Sequence, residues 1–347
     1  MSQPTHQTGF GFARGEKKIH RYDNLVVKQP KPMQVLLKVE AAGLCSSDLH
    51  MLWGQDKRIP DKFIMGHEIA GQIVSVGSAL VNHPLYKVGG RFAVTIADSC
   101  GSCKGCRSGN DNMCSGKMGS AYGLSQDGGF QQYLIVSNLR TLLPIPKKVS
   151  YVEAAVASDA VLTPYAAIQK AKPFLNPGDR VLLFGLGGLG ANALQILKSY
   201  GLYVVACDLK PEAKELAQKF GADEFYNDIN TSKHRPETFQ ACFDFVGFQP
   251  TFDGCQKYVS EKGVIVIVGL GRARLQMKNY ELARREVKVF FSFGGTSQQQ
   301  IECMQWVAEG KVKPVANIVP IKELPAYFDK LEKGQIQGRI VFDPAKL

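Results

Sequence analysis

Of all the segments in the chain, Gly185-Leu186-Gly187-Gly188-Leu189-Gly190 restricts the fold most. It matches G-x-G-x-x-G, and its context gives the match force. The apolar stretch 180–184 before it reads as a strand, and 188–200 after it reads as a helix. Gly185 permits the tight turn, Gly187 lets a pyrophosphate approach the backbone, and Gly190 lets helix and strand pack closely. Gly188 and Leu189 lead into the helix, whose free N–H groups and dipole favour the negative charge of a phosphate. Such a turn belongs to a βαβ unit, and the rhythm continues downstream. Strands are predicted over 203–207, 242–246, 264–268 and 287–291, with a helix over 212–220. The region therefore reads as α/β, with a doubly wound parallel sheet.

Asp208 closes the second of these strands, 18 residues after Gly190. An acid there accepts hydrogen bonds from both ribose hydroxyls of adenosine and repels the extra phosphate of NADP, so NAD is the expected cofactor. Lys210, two residues on, works against that preference if it points at the ribose.

The first third has a different texture. Short β-branched runs at 34–40, 68–76 and 91–95 are punctuated by Gly and Pro, which predicts a β-rich barrel or sandwich. The tail carries a helix near 299–309 and a strand near 339–342 that could return to this first domain. The expected division is 1–155 with 296–347, and 156–295. Within 99–115 the composition turns to Cys, Gly, Lys and Asn, too polar to pack as a core. Cys100, Cys103, Cys106 and Cys114 follow C-x2-C-x2-C-x7-C, a spacing that lets four thiolates converge on one Zn²⁺. Four protein ligands leave no open position, so this zinc is structural. An iron–sulfur cluster uses similar ligands, but no Pro follows the last Cys and nothing else suggests electron transfer.

Composition removes several classes. The chain has 347 residues, of which 45% are hydrophobic and 21% charged, which excludes disorder as the dominant state. Its net charge of +11 is dispersed, with no run of five basic residues and no nucleic-acid motif, so no nucleic-acid partner is expected. No stretch of 18 apolar residues free of turn-formers suggests a membrane span. Nine cysteines argue against a secreted disulfide framework, and the polar start lacks the apolar core of a signal peptide. A cytoplasmic location is expected. The ending Ala345-Lys346-Leu347 is one residue from a peroxisomal address, which keeps that compartment as an alternative.

Two further motifs, Gly43-Leu44-Cys45-Ser46-Ser47-Asp48-Leu49-His50 and Gly66-His67-Glu68, stand beside these elements. Together with Asp127-Gly128-Gly129-Phe130, the four-cysteine segment, the glycine turn and Gly338-Arg339, they make nearly the whole chain resemble the zinc-dependent medium-chain alcohol dehydrogenases. Within that family the run Ser158-Asp159-Ala160-Val161-Leu162-Thr163-Pro164-Tyr165 resembles fungal NADH-dependent carbonyl reductases acting on secondary alcohols and ketones.

The resemblance implies a Rossmann NAD-binding domain, a GroES-like catalytic domain, and a cleft between them for zinc, nicotinamide and substrate. It implies a catalytic Zn²⁺ held by Cys45, His67 and Asp159, the last standing where many relatives have Cys. With the structural zinc, that makes two Zn²⁺ per chain, plus NAD(H). Asp48 would orient His67, and Glu68 would sit behind the metal. Ser47 and His50 would relay the proton. Ser46 replaces an Arg or His that often faces the pyrophosphate, a charge that Arg339 could supply. The substrate pocket is expected near Leu52, Trp53, Tyr122, Phe291 and Phe293, with the small Ala121 and Gly294 making room for bulky or aryl ketones.

The resulting function is hydride transfer between NAD(H) and a secondary alcohol, ketone or aldehyde, in a homodimer or homotetramer. Two alternatives remain: a polyol dehydrogenase of the same superfamily, and a non-catalytic zinc and NAD(H) sensor. Metal-free quinone reductases lack these ligands.

Overall fold

The computed structural model describes residues 4–54, 57, 59–116 and 120–346, so Leu347, and with it the end of the Ala345-Lys346-Leu347 tail, lies outside the described residues. The chain forms two compact units. One comprises Met1–Asp159, Thr296–Ala308 and Ala316–Leu347; the other comprises Ala160–Gly295 and Glu309–Val315. Relative to the expected division, residues 156–159 join the first unit and the short segment Glu309–Val315 joins the second.

The first unit is built on a seven-stranded sheet among the described residues. Its order is Ala316–Pro320, Arg339–Asp343, Val35–Leu44, Glu68–Val76, Arg91–Val94 and Leu142–Pro144, with Tyr133–Val136 also pairing with Val35–Leu44. All neighbours are antiparallel except the first two. The strand Val35–Leu44 is buried along most of its length, because it has partners on both edges and packing on both faces. Two register shifts bend it between Leu36 and Leu37 and between Val39 and Ala41. The C-terminal strand Arg339–Asp343 lies against this central strand, with Ile340 opposite Leu44. Phe130 anchors the core edge-on to Phe342 at 5.8 Å and to Phe328 at 6.4 Å between ring centroids.

The second unit is a six-stranded sheet, parallel throughout, in the order Glu224–Tyr226, Tyr203–Cys207, Arg180–Phe184, Phe239–Asp244, Val259–Ile267 and Lys288–Phe291. Arg180–Phe184 is central, and four of its five residues are buried. Continuous apolar runs of this kind are what a parallel sheet covered on both faces requires. Two strands start earlier than the hydrophobic runs predict. Val259–Ile267 passes through Ser260-Glu261-Lys262-Gly263, which reads as a turn because it is polar and Lys262 takes φ +58°, yet Val259 still pairs with Phe239.

Phe252, on the helix Gln249–Tyr258, is fully buried among Leu182, Phe184, Cys242 and Ile265. Phe252→Ala is expected to cost about 3–5 kcal/mol, read as a lowered midpoint in denaturant unfolding. A midpoint equal to that of the parent would contradict this packing.

Candidate active site and metal centres

Four residues from three distant segments meet in the first unit. Cys45 follows the strand Val35–Leu44 and precedes the helix Ser46–Gly54. His67 and Glu68 stand at the start of Glu68–Val76. Asp159 lies in a π-helical turn, Ala157–Val161, between the helices Tyr151–Val156 and Leu162–Ala171. A π turn interrupts the regular helical repeat and re-aims its side chains, and such turns occur often at functional sites. One donor atom from each of Cys45, His67, Glu68 and Asp159 lies within 4.8 Å of the others. Cys45 Sγ is 3.3 Å from Asp159 Oδ2, and His67 Nε2 is 3.8 Å from the same oxygen. A tetrahedral Zn²⁺ with bonds of 2.0–2.3 Å needs donors about 3.3–3.8 Å apart, so sulfur, imidazole and carboxylate here fit that ion.

Asp48 fixes two of these donors. Its Oδ2 accepts the backbone N–H of Cys45 at 2.9 Å, and its Oδ1 lies 3.1 Å from His67 Nδ1. Asp48 is completely buried. The contact holds the proton of His67 on Nδ1 and leaves Nε2 as a lone-pair donor towards Cys45 and Asp159. Burial is the largest single influence on His67 and would lower its pKa, but the Asp48 charge and the hydrogen bonds of Asp159, Asp48 and Cys45 together hold the ring well above its ordinary range, so a cation bound at Nε2 takes the place of a proton. The two other carboxyls diverge. Burial pushes Glu68 well above the usual carboxylate range despite Arg339 nearby. Burial also acts on Asp159, but His67 and Arg339 win there and hold it below that range. Negative charge therefore concentrates on Asp159, as a cation site requires.

Arg339 departs from expectation. Instead of being free to face a pyrophosphate, it is buried, with Nη2 at 2.6 Å from Glu68 Oε1 and 2.8 Å from Asp159 Oδ2. Two buried carboxyls beside it demand a counter-charge, and the strand pairing of Ile340 with Leu44 brings it to them.

Cys100, Cys103, Cys106 and Cys114 form a second cluster in the same unit. Cys100 and Cys106 sulfurs are 4.0 Å apart, and those of Cys103 and Cys114 are 3.9 Å apart. Backbone N–H groups point at the sulfurs: Cys103 donates to Cys100 Sγ at 3.3 Å and Cys100 donates to Cys114 Sγ at 3.2 Å. The Cys106 backbone and then the Ser115 hydroxyl lower Cys103 to about 5, while burial raises Cys106 to about 12. Four sulfurs at these separations suit a closed tetrathiolate zinc.

In the second unit the glycine turn takes the geometry its sequence implies. Gly185 adopts φ +87°, and a Cβ at Gly190 would fall 1.7 Å from Gly185 O. No heavy atom lies within 4 Å of a Cβ built at Gly187, so the backbone there is open to a ligand. Gly188 and Leu189 lead into the helix Gly190–Ser199. Asp208 braces the turn, accepting the N–H groups of Leu186 at 2.7 Å and Lys210 at 2.9 Å. Each oxygen retains a lone pair for further bonds. Sequence reasoning missed Asn192, whose Nδ2 donates to Gly188 O and Ala160 O, both at 2.9 Å. No sequence signal marks it, since an amide in a first helical turn is commonplace.

Ser47 and His50 are three apart on the helix Ser46–Gly54, hence on one face. Ser47 Oγ is 3.7 Å from Cys45 Sγ, and His50 is exposed. Trp53, on the same helix, is 43% exposed. Ala121 is half-buried in the first unit, and Gly294, with φ +54°, belongs to the second. Tyr122 corrects the expected pocket lining. It is buried in the core of the first unit and its hydroxyl is within bonding reach of Thr141, because a large ring with a nearby polar partner gains more from burial than from exposure.

Comparison with known proteins agrees with this architecture. The model for the alcohol dehydrogenase GroES-like domain matches residues 31–147, and that for zinc-binding dehydrogenases matches 188–309. The chain is 32% identical to an alcohol dehydrogenase of Geobacillus stearothermophilus, covering 91% of this chain and 94% of that one. It is 31% identical to alcohol dehydrogenase 1 of Emericella nidulans, covering 93% of each. Among solved structures, acetophenone reductase from Geotrichum candidum in complex with NAD superposes with a TM-score of 0.92 at 38% identity, covering 100% of both chains. The chain therefore belongs to the zinc-binding alcohol dehydrogenase family, as an NAD-dependent alcohol dehydrogenase or carbonyl reductase.

Proposed function

We propose that the protein reduces apolar, bulky or aryl ketones with NADH and oxidises the matching secondary alcohols. The observation that carries this reading is the convergence of Cys45, His67, Glu68 and Asp159 within 4.8 Å, three of them with the sulfur, nitrogen and oxygen donors of a catalytic zinc. Cys45, His67 and Asp159 would hold the ion, and Cys100, Cys103, Cys106 and Cys114 a second, structural one. When bound, zinc supplies Lewis acidity towards a carbonyl or alcohol oxygen, and the nicotinamide supplies or accepts the hydride. The remaining work falls to the chain. Asp48 orients His67 and Cys45. Ser47 exchanges the proton of the substrate oxygen, and His50, exposed three residues on, passes it to solvent. Histidine suits this because its ordinary pKa lies near neutrality. Gly185, Gly187, Gly188, Leu189 and Gly190 cradle the pyrophosphate, and Asp208 takes the adenosine ribose.

Similarity to the acetophenone reductase supports the aryl-ketone reading over polyols, as does Trp53 lying exposed on the helix of Ser47 and His50. Lys288–Phe291 is an edge strand with Phe291 exposed, and we assign it the joining of two sheets in a homodimer or in each half of a homotetramer. No helix among the described residues is long and apolar enough to cross a membrane. We assign the enzyme to the cytosol; peroxisomal fluorescence of the tagged chain would move it to the alternative compartment.

Four outcomes are expected. The purified enzyme carries two zinc ions per chain by metal analysis and oxidises NADH, in preference to NADPH, with acetophenone but not with a polyol's keto form. Chelation abolishes this and zinc restores it; turnover that survives metal loss sinks the reading. Ala121→Trp lowers kcat/KM for acetophenone relative to acetone by about tenfold, and an unchanged ratio removes Ala121 from the pocket. Phe291→Asp shifts the mass in light scattering towards the monomer, whereas an unshifted mass excludes this edge.

A further inference from the structure

Asn192 carries one inference beyond the proposed function, on which it rests. The residue sits in the first turn of the helix Gly190–Ser199 and is 3% exposed. Both protons of its amide are used, because Nδ2 donates to Gly188 O and to Ala160 O, each at 2.9 Å. The reverse orientation would set an oxygen against two acceptors. Its Oδ1 is buried without a partner, a cost that packing alone does not explain.

The two carbonyls belong to two turns that the reaction depends on. Gly188 lies in the glycine turn. The backbone N–H of Asn192 bonds to Leu189 O at 3.1 Å rather than to Gly188 O, so the side chain supplies what the helix does not. A trans peptide sets its C=O and the following N–H on opposite sides. Holding Gly188 O towards Asn192 therefore turns the Leu189 N–H away from it, and that N–H has no acceptor among the described residues. Ala160 lies in the π turn Ala157–Val161 and follows Asp159 directly. A π turn breaks the regular ladder of helical bonds, and a buried carbonyl within it needs a donor from elsewhere.

We propose that Asn192 is a positioning residue with two duties. It fixes the peptide plane that aims the Leu189 N–H at the pyrophosphate, and it fixes the π turn that aims Asp159 at the metal. An apolar side chain of the same size leaves both carbonyls unpaired under burial, and both turns relax.

The test pairs NADH binding, followed by fluorescence, with the spectrum and release of cobalt(II) loaded at the Asp159 site. Neither readout needs turnover. In Asn192→Leu the Kd for NADH is expected to rise about tenfold, as for one hydrogen bond lost under burial. Cobalt release to a chelator is expected to quicken about tenfold, the lower end of what outer partners of metal ligands change, with a shift of the visible d–d bands. Asn192→Ser separates the duties. Its hydroxyl bonds back to the carbonyl four residues earlier, Gly188 O, and has no second proton for Ala160 O. Its NADH binding is expected to stay at the parent value while its cobalt release quickens as in Asn192→Leu. A folded Asn192→Leu that keeps either parent value overturns the proposal, and so does an Asn192→Ser whose two readouts do not divide in this way. If Asn192→Leu does not fold, the serine variant decides alone. A parent that takes up cobalt only at the four-cysteine cluster refutes the catalytic-metal reading and this inference together, whereas a parent loaded at the Asp159 site beside parent-like variants refutes this inference alone.

Discussion

One buried carboxylate fixes the geometry of the Cys45 and His67 cluster. Asp48 lies just beyond the strand that ends at Leu44, and each of its oxygens has a partner: the backbone of Cys45 and the imidazole of His67. Remove it, and two buried polar groups lose their acceptor, which costs more than the bonds contribute. The consequence is directional. With Nδ1 tied down, His67 presents only Nε2, and with its backbone tied down Cys45 presents only its sulfur. The site is shaped before any ligand arrives, and preorganisation of this kind is what electrostatic catalysis depends on.

Around that fixed pair the cluster balances charge under burial. Glu68 and Asp159 are placed where neither would ionise alone, and Arg339 enters from the far end of the chain to offset them. The outcome is unequal: burial dominates at Glu68, ionic partners at Asp159. The four-cysteine cluster solves a different problem. Its polar segment has no apolar face to bury, and backbone N–H groups aimed at sulfur prepare it for a cation that replaces a core. The two centres thus differ in donors: a set of four sulfurs, and a mixed set of sulfur, nitrogen and oxygen.

Legibility varied with how local the cause was. The turn at Gly185 to Gly190 is dictated by sterics within six residues, and the Cys100–Cys114 spacing by the reach of short loops, so both could be read directly. Boundaries such as Val259–Ile267 were harder, because ladder hydrogen bonds carry a strand through polar residues that look like a turn. Asp159 was legible only through resemblance. By itself it resembles a helix cap, and its aim comes from a π turn that composition does not announce. The burial partners of Tyr122 and Arg339 are not legible in the sequence for a common reason: the aromatic ring and the guanidinium each meet groups more than fifteen residues away.

Sequence by itself determined the class of chain: a parallel sheet with a dinucleotide turn, a β-rich partner unit, four converging thiolates and a zinc-binding alcohol dehydrogenase signature. All but the last follow from short-range sterics, hydrophobic periodicity and ligand spacing; the last rests on resemblance to known relatives. Only the tertiary structure decided which carboxyl carries the charge, where Arg339 goes and which aromatic is core. Such choices depend on distances between segments far apart in the chain, and electrostatic interactions under burial change steeply with distance.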